Sequence, residues 1–200
     1  MLQVRGLAKR WPGGAPLFEA VDLDLAAGEL VAILGESGAG KSTLLNIVAG
    51  LDRAESGTVT VSVTVVSALD DDQLARWRRR HVGFVFQSFH LLPYLTVEEN
   101  VGLPLLLNGV AAAERHARAL AALDSVGMAA TAPRKPGSLS GGEMQRAAVA
   151  RAVVHRPSLV LADEPTGNLD EANAAATMQA LRDAVKREGA AGLLVTHSAV

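Results

Sequence analysis

The chain contains no cysteine. Disulfides and thiolate chemistry are therefore excluded, and a disulfide-stapled extracellular framework is not expected. Aromatic residues are scarce, 4% against 49% hydrophobic residues overall, so aliphatic side chains and alanine must fill the interior. No run of about 18 apolar residues exists, the length a helix needs to cross a bilayer. The nearest stretch, Val101 to Ala113, is broken by Pro104, Asn108 and Gly109. The start, Met1-Leu2-Gln3-Val4-Arg5-Gly6, lacks the apolar centre of a secretion signal. A charge excess is missing too: 19 Lys and Arg against 21 Asp and Glu leave −2, with no global pull toward nucleic acid or an anionic surface. The expectation is a cytosolic chain of 200 residues, forming one domain or one core with an inserted subdomain.

What is present is organised around Gly35-Glu36-Ser37-Gly38-Ala39-Gly40-Lys41-Ser42-Thr43. It fits G-x-x-x-x-G-K-[ST], the phosphate-binding loop. Glycines let the backbone curl so that several N–H groups point at phosphate oxygens. Lys41 adds a mobile point charge for the terminal phosphates, and the Ser42 hydroxyl suits Mg²⁺. A buried-strand pattern, Glu29 to Leu34, precedes the loop, and a helical pattern, Thr43 to Ala49, follows it. This context favours a bound nucleotide over a mere Gly-rich turn.

Residues 2–10 and 17–25 read as two strands around the turn Pro12 to Pro16. At its lip stands Trp11, either a stacking platform for a purine or a partly buried surface ring. The β-branched run Thr58 to Val66 reads as a hairpin, although Ser62-Val63-Thr64 at its middle offers no Gly, Asn or Asp. Asp70 to Arg80 is a short helix with acids first and bases last; its arginines read as a solvated helix end, not a nucleic-acid surface. Val82 to Phe86 is a buried strand delivering Gln87, a candidate contact for Mg²⁺ or the attacking water. Residues 88–156 turn helical. Thr96-Val97-Glu98-Glu99 is a capping box opening a helix that Pro104 must kink or end, and Ala111 to Val126 is a further helix. Ser158 to Ala162 is a buried strand delivering Asp163-Glu164, Asp170 to Glu188 is an amphipathic helix, and Gly192 to Thr196 is a strand delivering His197.

An apolar strand ending in Asp is the usual partner of a phosphate loop. Asp163 is expected to hold Mg²⁺, through water, and Glu164 to polarise a water for in-line attack on the γ-phosphate. Ser140-Gly141-Gly142-Glu143 reads two ways. It is a sound capping box, yet successive glycines at a helix start cost about 1 kcal/mol each against alanine and make sense if an anion approaches the bare N–H groups.

The loop GESGAGKST, Gln87, LSGGE (Leu139 to Glu143), LVLADEP (Leu159 to Pro165), Asn168-Leu169-Asp170 and His197 occur in that order. In this the chain resembles the ATP-binding-cassette (ABC) ATPases, over residues 2–197. FQSFHLLPYLTVEENVGLPLLL and LADEPTGNLD are similar to the lipoprotein-releasing and macrolide-export branch, with the cell-division ABC ATPase nearby. The resemblance implies an α/β P-loop NTPase fold: a RecA-like parallel core, an N-terminal antiparallel β subdomain and an inserted helical subdomain. The core would be residues 1–87 and 157–200, and the insert 88–156. It implies ATP and Mg²⁺ as cofactors and a head-to-tail dimer with two ATP sandwiched. Lys41, Ser42, Gln87 and Asp163 of one copy would face Ser140, Gly141, Gly142 and Glu143 of the other. Glu164 would be the catalytic base, His197 would contact the γ-phosphate, and Trp11 would stack on adenine. The stretch after Gln87 would meet the coupling helix of an integral-membrane permease, placing the chain peripherally on the inner face of the cell membrane.

The implied function is Mg²⁺-dependent ATP hydrolysis that drives an exporter or a lipoprotein, peptide or drug extrusion system. The alternative is a cell-division-type ATPase that signals through its membrane partner without transport. A soluble DNA-repair or translation ABC protein lacks its usual second cassette, coiled coils or zinc cysteines here. A P-loop GTPase or kinase would leave LSGGE and His197 unexplained. Glu143 stands where Gln is more general, Met144 where the branch tends to Gln, and Ser198 where Asp is common. The family continues past the switch His with further strands, so an unpaired sheet edge is expected.

Overall fold

The computed structural model describes residues 1–11 and 13–197; the turn residue Pro12 and the departure at Ser198 lie outside them. Two sheets form. The antiparallel one contains β1 (Leu2–Arg10), β2 (Pro16–Leu25), β4 (Ser56–Val61) and β5 (Thr64–Val65), in the order β2-β1-β4-β5. The other holds β3 (Leu30–Leu34), β6 (Val82–Val85), β7 (Leu159–Asp163) and β8 (Ala191–Thr196), in the order β3-β8-β7-β6, all neighbours parallel.

The two central strands, β7 and β8, are buried almost throughout, because both faces of a parallel sheet are covered. Their period of two divides them between two cores. Leu159, Leu161, Leu193 and Val195 point into a cluster with the antiparallel sheet and helix α1 (Lys41–Val48). Val160, Ala162 and Leu194 point the other way. There they meet helices α3 (Val97–Leu107), α4 (Ala112–Asp124), α5 (Gly141–Val153) and α6 (Glu171–Glu188). Helix α2 (Asp71–His81) leads into β6. Asp70, Thr96 and Ser140 each close a full capping box at the start of α2, α3 and α5.

Pro104 does not end its helix; α3 runs on to Leu107. Fully buried Leu105 anchors the last turn, and the Asn108 side chain donates back to the Pro104 carbonyl at 2.8 Å. The glycine-free hairpin between β4 and β5 also has a local reason. Ser62 takes the left-handed conformation (φ 54°), and its N–H donates to the Met1 carbonyl at 2.6 Å. That bond, with Val63 almost fully exposed, allows a turn that ordinarily calls for Gly or Asn. Among the described residues strand β3 pairs only with β8 and so stands at an edge of its sheet.

Candidate nucleotide site

Because β3, β6, β7 and β8 run parallel, the segments that follow them emerge at one edge of the sheet. The phosphate loop, Gln87, Asp163-Glu164 and His197 are the segments in question. In the loop, Gly38 and Gly40 both have φ of 83°. Gly40 is needed for space as well: a Cβ there would lie 2.7 Å from Leu17 Cγ. The Lys41 ammonium curls back over the loop and donates to the carbonyls of Gly35 and Glu36 at 2.7 Å each. Helix α1 begins without a capping side chain or an acid in its first turn, which leaves its first N–H groups to an anion.

Ser42 Oγ donates to Asp163 Oδ1 at 3.0 Å. Burial pushes the Asp163 carboxyl above the ordinary aspartate range, against the hydrogen bond from Ser42; the neighbouring Glu164 pushes it further up and Lys41 pulls it down. Glu164 sits at φ 48°, left-handed for a non-glycine residue, and its N–H donates to the Val195 carbonyl at 2.9 Å. That backbone strain turns the chain sharply at the strand end. The Glu164 carboxylate is hydrogen-bonded to His197 Nδ1. A Cβ at Gly167 would come within 2.9 Å of Gln87 Nε2 and 3.5 Å of Glu164 Oε2, so the backbone there passes close between the two. Asn168 Nδ2 donates to the Gln87 carbonyl at 3.2 Å.

Trp11 is half exposed, with the Lys9 ammonium 4.8 Å from its ring centroid. Its ring borders an open pocket of about 270 Å³ that Ser37, Gly38, Gly40, Lys41, Ser42, Thr43 and Glu164 also line. The loop, the aromatic and Glu164 thus border one space; Gln87, Asp163 and His197 do not line it, Asp163 and His197 being tied to it through their bonds to Ser42 and Glu164. The stretch Ser140 to Glu143 is elsewhere: none of its residues lines that pocket. It opens α5, where Ser140 N donates to Glu143 Oε2 at 2.8 Å. Those Ser140 bonds hold the Glu143 carboxyl below the ordinary glutamate range.

The two glycines of that stretch differ. A Cβ on Gly141 would meet only ordinary contacts, Leu169 Cδ2 at 3.5 Å and Phe89 Cζ at 3.8 Å. On Gly142 it would lie 2.0 Å from Asn173 Oδ1, so Gly142 has a packing reason that does not involve an anion. Asn173 was not singled out by sequence; its only signal is its place three residues after the α6 cap Asp170, where it donates to that carboxylate. Arg151 also escaped notice. From α5 it donates to the carbonyls of Phe89 (2.7 Å) and His90 (2.5 Å), two left-handed residues just after Gln87.

Similarity to known proteins extends over nearly the whole chain. The family model described as ABC transporter matches residues 18–167. The lipoprotein-releasing system ATP-binding protein LolD of Alcanivorax borkumensis is 44% identical over 200 residues, covering 98% of this chain and 88% of that protein. Its namesake in Xanthomonas axonopodis pv. citri is 46% identical, covering 98% and 82%. The uncharacterized ABC transporter ATP-binding protein YknY of Bacillus subtilis is 44% identical, covering 98% and 86%. Among solved structures, the ATP-binding cassette MJ0796, as a dimer in a post-hydrolysis state bound to ADP and Pi, superposes with a TM-score of 0.86. It is 39% identical, over 99% of this chain and 88% of that one. The chain belongs to the ABC transporter family, in which it is an ATP-binding subunit that hydrolyses ATP.

Proposed function

We propose that two copies of this chain close head to tail on two ATP molecules and thereby drive an integral-membrane permease that extrudes a lipoprotein or a similar amphipathic substrate. The single observation that carries the site assignment is the 3.0 Å bond between Ser42 and Asp163, which joins the phosphate loop to the acidic strand end across the sheet. In this reading the backbone N–H groups of residues 35–43 (Gly35, Glu36, Ser37, Gly38, Ala39, Gly40, Lys41, Ser42 and Thr43) and the Lys41 ammonium hold the phosphates. Trp11 stacks on the adenine.

Ser42, Asp163 and Gln87 offer hydroxyl, carboxylate and amide oxygens, hard donors that fit Mg²⁺. Among the described residues no group of three or more His, Cys, Asp or Glu side chains is placed to hold a metal alone. Such a site suits an ion that arrives with the nucleotide, since Mg²⁺ typically takes one or two carboxylates and completes its shell with phosphate and water. The ion would neutralise charge developing on the phosphate oxygens.

Glu164 then orients the attacking water and accepts its proton, and His197, already bonded to that carboxylate, holds the geometry and reaches the γ-phosphate. Ser140, Gly141, Gly142 and Glu143 come from the second copy; in their own chain none of them lines the pocket. ATP bridging two copies adds contacts only in the closed state, so its binding shifts that equilibrium.

Residues 88–156 act as a helical subdomain inserted in the core of 1–87 and 157–200. An open groove of about 500 Å³ runs between α2, β6 and α3, floored by Phe84, Leu103, Pro104 and Leu107 and flanked by Arg79. With exposed Leu92 and Tyr94 nearby in the chain, it supports docking of an amphipathic segment of the permease. Among the described residues no helix is long and apolar enough to cross a membrane, which fits peripheral attachment to the cytoplasmic face. The relatives named LolD support lipoprotein release as the process served.

The test compares the unaltered chain, Lys41→Ala and Glu164→Gln, by ATP turnover and by light scattering with and without ATP. Glu164→Gln should bind ATP, dimerise and scarcely turn over, and Lys41→Ala should lose tight ATP binding. Equal turnover in Glu164→Gln and the unaltered chain would remove Glu164 from the catalytic role.

A further inference from the structure

We propose that Asn173 is a positioning residue that ties the Ser140–Glu143 stretch to the loop carrying Glu164, and so couples the two nucleotide sites of the dimer. The inference rests on the head-to-tail reading above.

Three contacts of one half-buried side chain carry it. Its Oδ1 fills the space beside Gly142, where a Cβ would sit 2.0 Å from Oδ1 and 2.4 Å from Cγ. The same oxygen accepts from Arg146 Nη1 at 3.3 Å, one turn further along α5. Its Nδ2 donates to Asp170 Oδ2 at 2.7 Å, and its backbone N–H to Asp170 Oδ1 at 3.0 Å. The first turns of α5 and α6 are therefore pinned together through one amide.

Asp170 closes the loop that begins at Glu164. Within that loop the Gly167 N–H donates to the Glu164 carbonyl at 3.1 Å, and the Leu169 N–H to the Thr166 carbonyl at 3.1 Å. A displacement of Gly142 thus reaches Asp170 through Asn173, and from Asp170 a short, internally bonded loop leads to the base. In the dimer the Ser140–Glu143 stretch serves the partner's nucleotide, while Glu164 serves the chain's own. Asn173 lies on the connection between them, although it touches neither nucleotide.

The experiment measures ATP hydrolysis against ATP concentration for the unaltered chain, Asn173→Ala and Asn173→Asp, with thermal unfolding and nucleotide binding recorded on each. The unaltered dimer should show a Hill coefficient approaching the two sites present, about 1.5–2. Asn173→Ala should bring it to about 1, with kcat down about tenfold and single-copy nucleotide binding within about twofold. Asn173→Asp keeps an acceptor for Arg146 but loses the donor to Asp170 and sets two carboxylates together, so it should behave like Asn173→Ala. A purely structural role would lower the unfolding temperature and leave the Hill coefficient in place. The proposal is overturned if the coefficient is the same in the unaltered chain and Asn173→Ala, including a value of 1 in both, or if Asn173→Asp retains full cooperativity. ATP-driven dimerisation of Glu164→Gln separates the two failures. Its absence removes the two-copy reading, whereas dimerisation with unmoved cooperativity removes only the role of Asn173.

Discussion

Gly141 and Gly142 are adjacent in sequence, yet alanine at the two positions should shift stability in opposite directions. At Gly141 the new methyl meets Leu169 and Phe89 at 3.5 and 3.8 Å, ordinary contact distances. Alanine is worth up to about 1 kcal/mol over glycine inside a helix, and less in the first turn. Gly141→Ala should therefore stabilise the isolated chain by about 0.5 kcal/mol. At Gly142 the methyl collides with Asn173 Oδ1 at 2.0 Å and Cγ at 2.4 Å. Asn173 cannot swing away freely, because leaving breaks its bonds to Arg146 and Asp170, each worth about 0.5–1.5 kcal/mol. With the overpacking itself, Gly142→Ala should cost about 2–3 kcal/mol. For a chain of this size those values correspond to a rise of about 1–2 °C and a fall of about 4–12 °C in Tm. Urea and thermal unfolding without nucleotide would measure both. ATP hydrolysis should fall sharply in each variant, since in Gly141→Ala the methyl stands where a phosphate is to approach the backbone. A destabilising Gly141→Ala, or a Gly142→Ala within 0.5 kcal/mol of the unaltered chain, would refute the packing argument. Normal hydrolysis by Gly141→Ala would refute the close approach of phosphate.

Two further outcomes follow from the geometry. The Asp163 carboxyl is raised in the folded chain by burial, so its proton-bound form is the one the fold favours. That contribution is complete below the unfolded aspartate value of about 3.9 and is lost as pH rises through the folded pKa. Asp163→Asn still accepts from Ser42 and sheds the half-buried charge, so in the absence of nucleotide it should melt higher than the unaltered chain at pH 7. The gain should vanish near pH 4, and hydrolysis should be lost; an equal or lower melting temperature at pH 7 would refute the assignment of cause. In β6, a Cβ on Gly83 would lie 1.9 Å from the Ala152 carbonyl oxygen, where two backbones meet and neither can rotate aside. Gly83→Ala should cost about 3 kcal/mol or more, and a loss under 1 kcal/mol in urea unfolding would show that β6 and α5 can separate.

The parts of this protein legible in its sequence are those set by neighbours in the chain. The phosphate loop is one, because its turn, its N–H cradle and its lysine lie within residues 35–43. The capping boxes at Thr96 and Ser140 are others, since donor and acceptor stand three residues apart. The apolar runs of β7 and β8 announced strands buried on both faces, and with them the carboxyl-end placement of Asp163 and His197. At Pro104, where the sequence allows a kink or an end, the end does not occur: α3 runs on to Leu107, with Leu105 buried by distant packing. The hairpin at Ser62 likewise depends on Met1, a residue far away in sequence.

Sequence by itself determined the chemistry available: a loop for phosphate, two adjacent acids, a histidine after an apolar strand and no thiol. Only the tertiary structure decided who meets whom. It set the strand order β3-β8-β7-β6, the bond from Ser42 to Asp163, the pairing of Glu164 with His197, and the asparagine that leaves room only for glycine at position 142. The physical reason is range. Propensity, capping and period act over a few residues, whereas each of these contacts joins segments that only the packing of two sheets and the helices around them brings together.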